Sequence, residues 1–244
     1  MKKTINQVLL KNFSLSSKNM ERRHSWIETT LKKIPAGSRI LDAGAGELAQ
    51  KIYCSHLNYV SQDFGQYNGS GDGKGFQTDN WDNSKLDIIC DITNIPEANK
   101  SFDAIMCIEV FEHLPEPIVA IKEFSRLLKT GGHLILTAPF CSMTHFSPYH
   151  FYTGFNRYFY EKHLAENNFE IIEMTYNGDF FEYIAQELLR IPNISKNYAN
   201  TNISILDKLA IFKLIRKLKK ISRKDNGSEE LLCFGIQILA KKNR

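Results

Sequence analysis

Between Ser38 and Leu48 the chain reads SRILDAGAGEL, and few local arrangements suit such a run. Arg39 to Leu41 is short and apolar enough for a buried strand, and it leads straight into Asp42, Gly44 and Gly46. Leu48, Ala49 and Ile52 then fit the inward face of a helix. Strand, glycine-rich turn and helix together let main-chain N–H groups and a helix N-terminus meet a polar ligand, because glycine allows close approach. The third glycine of a dinucleotide-binding turn is absent, with Leu48 near its place, and no GK[ST] follows for a phosphate loop. The glycine spacing alone does not choose a ligand; the residues downstream do.

At 244 residues and 43% hydrophobic content the chain can bury one substantial core. A net charge of +4 does not demand a nucleic acid partner, and no nucleic-acid-binding module is recognisable. The five cysteines (Cys54, Cys90, Cys107, Cys141, Cys233) are odd in number, widely spaced and without a CxxC pair, as expected of reduced core residues in a cytosolic protein. MKKTINQVLLKNF is too short and interrupted for a signal peptide, and no run is long enough to span a bilayer. The expected location is cytoplasmic.

Along the chain, Thr4 to Lys33 carries Val8, Leu9, Phe13, Trp26, Ile27 and Leu31 at helical spacing until Pro35-Ala36-Gly37 stops it. Helices capping a sheet are the plainer reading, a substrate lid the sharper one. Asn58 to Ser61 is a second strand with Asp63 at its end, where a doubly wound sheet places a carboxylate to accept from two ribose hydroxyls; an ordinary turn aspartate is the alternative. Phe64 to Lys85 holds five glycines and several Asn and Asp, too many breakers for a helix, so a long ordered loop is expected. In it Trp81 either packs on an adenine or anchors the loop. Leu86 to Cys90 is strand-like and ends at Asp91, which with the backbone of Ile92 can read an adenine edge. Ala104 to Val110 is an apolar strand broken only at Glu109, and EVFEHLPEP (Glu109 to Pro117) packs ionisable groups at the same sheet edge. Ile118, Ile121, Phe124, Leu127 and Leu128 mark a helix closed by Gly131-Gly132, and His133 to Ala138 is a fifth strand.

ILDAGAG, Asp63, CDITNIP, SFDAIMCIEVFEHLPEP, RLLKTGGHLILTAPF and a final CFGIQILAKK resemble, in order and spacing, the successive motifs of class I S-adenosylmethionine-dependent methyltransferases, nearest to the group called type 11. The resemblance implies an α/β fold, a Rossmann-like doubly wound seven-stranded sheet with its last strand antiparallel. It also implies one domain: an N-terminal helical cap (1–33), a cofactor-binding core (34–177), a helical insertion (178–230) and the last strand (231–240). The implied cofactor is S-adenosyl-L-methionine. By this resemblance Asp42, Gly44, Ala45 and Gly46 face its methionine end, Asp63 its ribose, Asp91 and Ile92 its adenine, and Ile108-Glu109 its methyl.

Phe140 to Tyr160, FCSMTHFSPYHFYTGFNRYFY, is the most unusual composition in the chain. It reads either as an aromatic packing loop or as an acceptor wall over the methyl donor, with Tyr149, Tyr152, Asn156 and Arg157 as acceptor-binding residues. Methyl transfer is an in-line displacement, so the chain has mainly to align the acceptor and exclude water. A hydroxyl acceptor also loses a proton, and His145 or His150 is the expected base, ahead of His113. Glu109, Glu112 and His113 with His150 form a set that could hold a divalent ion, resembling metal-dependent small-RNA and quinone-pathway methyltransferases. Because EHLP also occurs in metal-free relatives, no metal is the expectation.

Phe169 to Tyr176 is a sixth strand, Phe180 to Arg190 a helix, and Asn193 to Asn202 an Asn-rich linker. Ile205 to Lys224 is a basic amphipathic helix, either covering the sheet with solvated lysines or making peripheral contact with an anionic membrane. The expectation is O-methylation of a small or carbohydrate-like acceptor, with an RNA or quinone hydroxyl or a catalytically inactive cofactor-binding protein as alternatives. No NPPY-like motif is present, so DNA is not an expected partner.

Overall fold

The computed structural model describes residues 15–243; the helical positions expected at Val8, Leu9 and Phe13 lie outside them. The chain divides into two compact units, Ser25–Thr175 with the stretch from Gly235 onward, and the described residues up to His24 with Tyr176–Phe234. A first helix, α1, spans Leu15–Leu31.

The sheet has seven strands: β1 (Arg39–Ala43), β2 (Asn58–Asp63), β3 (Ile88–Ile89), β4 (Phe102–Ile108), β5 (Leu128–Pro139), β6 (Phe169–Asn177) and β7 (Gly235–Lys242). They lie in the order β3-β2-β1-β4-β5-β7-β6, so the chain winds outward from β1 in both directions. Neighbours from β3 to β5 pair in parallel and β7 runs antiparallel to β5, as the sequence motifs imply. Leu41, Ile105, Met106, Cys107, Leu134, Ile135 and Leu136 have no exposed surface, which is why the central strands are continuous apolar runs rather than alternating ones. Ile27, Leu31, Ile34, Ile40, Leu57, Met106, Ile135 and Leu239 form one core cluster. Register fixes the edge: Asp42 pairs with Ser61, Asp63 with Ile89 and Ile108 with Thr137. The carboxylates that follow apolar runs in the sequence therefore collect where the parallel strands end.

Four local expectations are corrected. No α-helix follows the glycine turn: Leu48 takes a φ of 62°, and only a 3-10 turn forms at Lys51–Tyr53, leaving Ile52 75% exposed. The helix α2 (Pro117–Leu127) ends at Leu128, where β5 begins directly. Gly131 and Gly132 sit inside that strand beside a register shift opposite Phe102 and Ala104. After α3 (Arg157–Glu166), α4 (Phe180–Ala199) runs on through Pro192, so the Asn-rich stretch begins as helix and turns at Asn200, φ 48°. The last strand is Gly235–Lys242, not 231–240, and Leu231 is 76% exposed.

The basic helix α5 (Ile205–Ser222) opens with a capping box between Ser204 and Asp207. Its one fully buried side chain, Ile215, packs with Ala185 of α4, while Lys213, Arg216, Lys217 and Lys220 are exposed along with Leu206 and Leu209. Among the described residues no helix is long and apolar enough to cross a membrane. Cys54, Cys107 and Cys233 are buried and Cys90 and Cys141 half-buried, and none of the five is in a disulfide among the described residues.

A half-buried ion pair braces the segment that follows Ile92. Glu123 in α2 accepts from Ile95 N (2.8 Å) and from Arg126 Nη2 (2.6 Å) and Nε (2.7 Å), and Arg126 donates in turn to the carbonyls of Ile95 and Glu97. Replacing Glu123 by alanine leaves the Ile95 N–H without its acceptor and removes two hydrogen bonds of the guanidinium, and should cost about 1–3 kcal/mol in urea unfolding. An unchanged midpoint would show that the pair braces nothing.

Candidate active site

At the end of β1 the Asp42 carboxylate is buried, and Tyr59 Oη donates to its Oδ2 at 2.6 Å. Burial pushes the Asp42 carboxyl up to about 7, against the pull of the Tyr59 hydrogen bond and helped by the charge of Asp63. The turn is fastened to β2: Gly44 N and Ala45 N both donate to Gln62 O, at 2.8 and 2.9 Å. Asp63 ties two turns together, its Oδ2 accepting from Gly46 N (3.0 Å) and its Oδ1 from Gly65 N (2.9 Å). Each of those oxygens keeps a second lone pair for an incoming hydroxyl. Asp91 is exposed and accepts from Thr93 N and Oγ1, at 2.8 and 2.7 Å, while the neighbouring Ile92 is buried. Ile108 ends β4, and Glu109 turns the chain at φ 56° with its Oε1 accepting from Thr137 Oγ1 at 2.8 Å. Acceptor-rich, anionic and partly buried, this edge suits a ligand that carries vicinal hydroxyls and positive charge.

The loop of residues 64–85 lies against the loop that follows β5. Phe76 N donates to Thr144 O (3.1 Å), Phe146 N to Phe76 O (2.9 Å) and Asp72 N to Ser147 O (3.1 Å), and Phe76 bridges His145 in parallel register. The glycines make this possible: a Cβ on Gly71, φ 51°, would stand 1.8 Å from Ser147 O. Trp81 serves as an anchor, packed so close over Gly46 that a Cβ there would lie 2.6 Å from its ring. Its ring meets Tyr67 and Phe146 edge-on, each at 5.4 Å.

Those contacts deliver the expected histidines to one place. The ring centroids of His113 and His145 are 4.7 Å apart, and those of His145 and His150 4.8 Å. Phe146 stacks on His113 at 5.2 Å. His113 Nδ1 lies 2.6 Å from Tyr149 O, and His145 Nδ1 lies 2.9 Å from Met143 O. His150 Nε2 is 3.2 Å from Ser142 Oγ. Burial, with His145 alongside, drops the His113 imidazole to about 3 and holds His150 below the ordinary range, whereas Glu112 outweighs burial at His145 and raises it. The other expected acceptor residues have local partners. Tyr149 meets the Phe64 ring at 4.9 Å, and Tyr152 Oη donates to Pro115 O at 3.1 Å. Asn156 caps α3 by accepting from Phe159 N, and the Arg157 guanidinium lies over the Tyr158 ring at 4.9 Å. Sequence reasoning missed the pairing of the two loops, whose only trace is the cluster of glycines at 71, 73 and 75.

Residues 41–136 match a family model described as a methyltransferase domain. The ubiquinone biosynthesis O-methyltransferase of Xanthomonas oryzae pv. oryzae is 49% identical over 41 residues, a stretch that spans 17% of this chain and only 17% of that relative. Among solved structures, a putative sarcosine dimethylglycine methyltransferase from Galdieria sulphuraria superposes with a TM-score of 0.53 at 14% identity, covering 91% of this chain and 86% of that one. A Haemonchus contortus phosphoethanolamine N-methyltransferase 2, solved with S-adenosyl-L-methionine, gives 0.52 at 15% identity over 91% of this chain and 53% of that one. The matched segment is that of a methyltransferase domain, and the sheet around it has the fold of these solved methyltransferases.

Proposed function

We propose that the chain methylates an oxygen of a small hydroxylated acceptor, carbohydrate-like or a secondary metabolite, with S-adenosylmethionine as donor. The observation that carries this reading is the convergence of His113, His145 and His150 beside the strand end at Ile108-Glu109. When bound, the cofactor supplies a methyl group on a positively charged sulfur, open to attack by an oxygen lone pair. Asp42, Asp63 and Asp91 hold its polar ends at the sheet edge, and the aromatic wall of Tyr67, Trp81 and Phe146 keeps water from competing. As the acceptor oxygen takes the methyl, its proton passes to His150, whose partly buried imidazole is held below the ordinary range and so is ready to accept it near pH 7. The short match to O-methyltransferases supports oxygen as the acceptor atom, with a phenolic hydroxyl as the nearest alternative to a sugar.

The experiment is an assay of S-adenosylhomocysteine release over a panel of glycosides, phenols and amines. Hydroxyl acceptors should turn over, and His150→Gln should lower kcat by about 10²–10³ with little change in KM, the range of a lost general base. Turnover of amines alone, or full activity in the variant, would defeat the proposal.

A further inference from the structure

The basic helix α5 concentrates the positive charge of the chain. From Ile205 to Lys224 there are eight lysines and arginines against one aspartate, a local +7 in a chain whose net charge is +4. The remainder is therefore acidic overall, and such asymmetry marks a surface for an anionic ligand. The single acid, Asp207, is taken up in the capping box with Ser204.

The charge is not spread evenly along the helix. Lys217, Lys220 and Ile221 share one face of α5, and Lys224 follows a turn later, its N–H donating to Ile221 O at 2.8 Å. With Arg223 and with Phe181 of α4 they line a cleft of about 620 Å³. All of these residues belong to the unit that contains Tyr176–Phe234. The walls are held in place: Ser222 Oγ donates to Asp179 Oδ2 at 2.5 Å, which ties the end of α5 to the cap of α4, two residues before Phe181.

A helix C-terminus attracts cations without any ligand, because its unpaired carbonyls leave it partly negative. That accounts for a lysine or two reaching into water, not for four cations around a concavity. Lys217, Lys220, Arg223 and Lys224 are all exposed, and none of them pairs with a described acid. The one acid on the rim, Asp225, has its Oδ2 turned to Ser228, accepting from N at 3.1 Å and from Oγ at 2.8 Å. Burial, with Lys18 and Arg223 close by, lowers the Lys219 ammonium on the same helix, the sign of cations crowded together. An anion in the cleft relieves that crowding. Ammonium groups and a guanidinium suit phosphate in particular, whose oxygens accept from several donors at once. Phe181 and Ile221 add an apolar side, which matches a phosphate attached to carbon better than a bare ion.

We infer that the cleft between the end of α5 and the start of α4 binds the phosphate of a phosphate ester, held by Lys217, Lys220, Arg223 and Lys224. The ester is a soluble metabolite or the headgroup of a lipid, and the chemistry at the cleft is the same for both. The site shares no residue with the cofactor edge, and its binding does not depend on the proposed oxygen transfer.

The test uses the full chain in two arms. Glycerol 3-phosphate is titrated in by calorimetry, and vesicles of phosphatidylcholine, with and without phosphatidic acid, are floated with the protein. Heat from glycerol 3-phosphate assigns a soluble ester; flotation that requires phosphatidic acid, with no such heat, assigns a headgroup. In Lys220→Gln/Lys224→Gln the affinity in the responding arm should fall by more than about tenfold, because two charge-assisted donors are lost. Lys196→Gln/Lys213→Gln removes the same charge from exposed positions outside the cleft, and should lower the affinity by less than about twofold. All four positions are exposed, so both variants should fold, and circular dichroism checks that they do. No binding in either arm overturns the inference. Equal losses in the two variants overturn it as well, since they would mean diffuse attraction with no site.

Discussion

Asp63→Ala should weaken S-adenosylhomocysteine binding by about 100-fold, and Asp63→Asn by less. The carboxylate holds Gly46 N and Gly65 N at 3.0 and 2.9 Å and keeps lone pairs for two hydroxyls. Hydrogen bonds to a charged acceptor contribute about 1.5–3 kcal/mol each, so losing one net bond of this kind already gives tenfold or more, and the freed turn adds to it. Asparagine keeps one acceptor oxygen and part of the grip. Calorimetry on the folded variants measures both, and an affinity equal to the parent's would move the cofactor away from this edge.

The second large effect concerns Asp42 and pH. Its carboxyl is raised to about 7 in the folded chain, against an ordinary aspartate value of about 3.9 in the unfolded one. The folded state therefore holds a proton that the unfolded state has already released. The stability from Asp42 is fully present below about pH 4 and is lost as pH rises through about 7. In Asp42→Asn this slope disappears. The variant should gain on the parent, by up to about 3–4 kcal/mol, as urea unfolding is carried from pH 4 to pH 8. A constant difference between the two chains across that range would mean that Asp42 ionises in the fold as it does in water.

The sheet was legible because the first four strands each lead into an acidic residue (Asp42, Asp63, Asp91, Glu109), a pattern set by burial along the strands and solvent at one end. Asp42, Asp63 and Asp91 could be placed at one edge from that pattern, and register puts Asp42 and Asp63 there, with Asp91 two residues past the end of β3. What failed depended on backbone conformation or distant contact. Leu48 and Ile52 have helical spacing, yet a left-handed turn at Leu48 stops the helix before it starts. The asparagines from Asn193 onward argued for a linker, whereas the helix persists to Ala199. At the site, Glu109 seemed a natural partner for Glu112 and His113. Its own positive φ instead brings the carboxylate to Thr137, and His145 joins Glu112 from a loop more than thirty residues on. No local propensity encodes that meeting, because a second loop, starting at Phe64, has to hold His145 in place.

The bridge between Phe76 and His145 makes two distant stretches of sequence into one piece of scaffolding. Anyone grafting a foreign specificity loop after β5 would therefore have to transplant residues 64–85 along with it, since a chimera with one half alone would bring unmatched backbones together. In diverging copies of this gene, changes near Gly71 and near Ser147 should be inherited as a set.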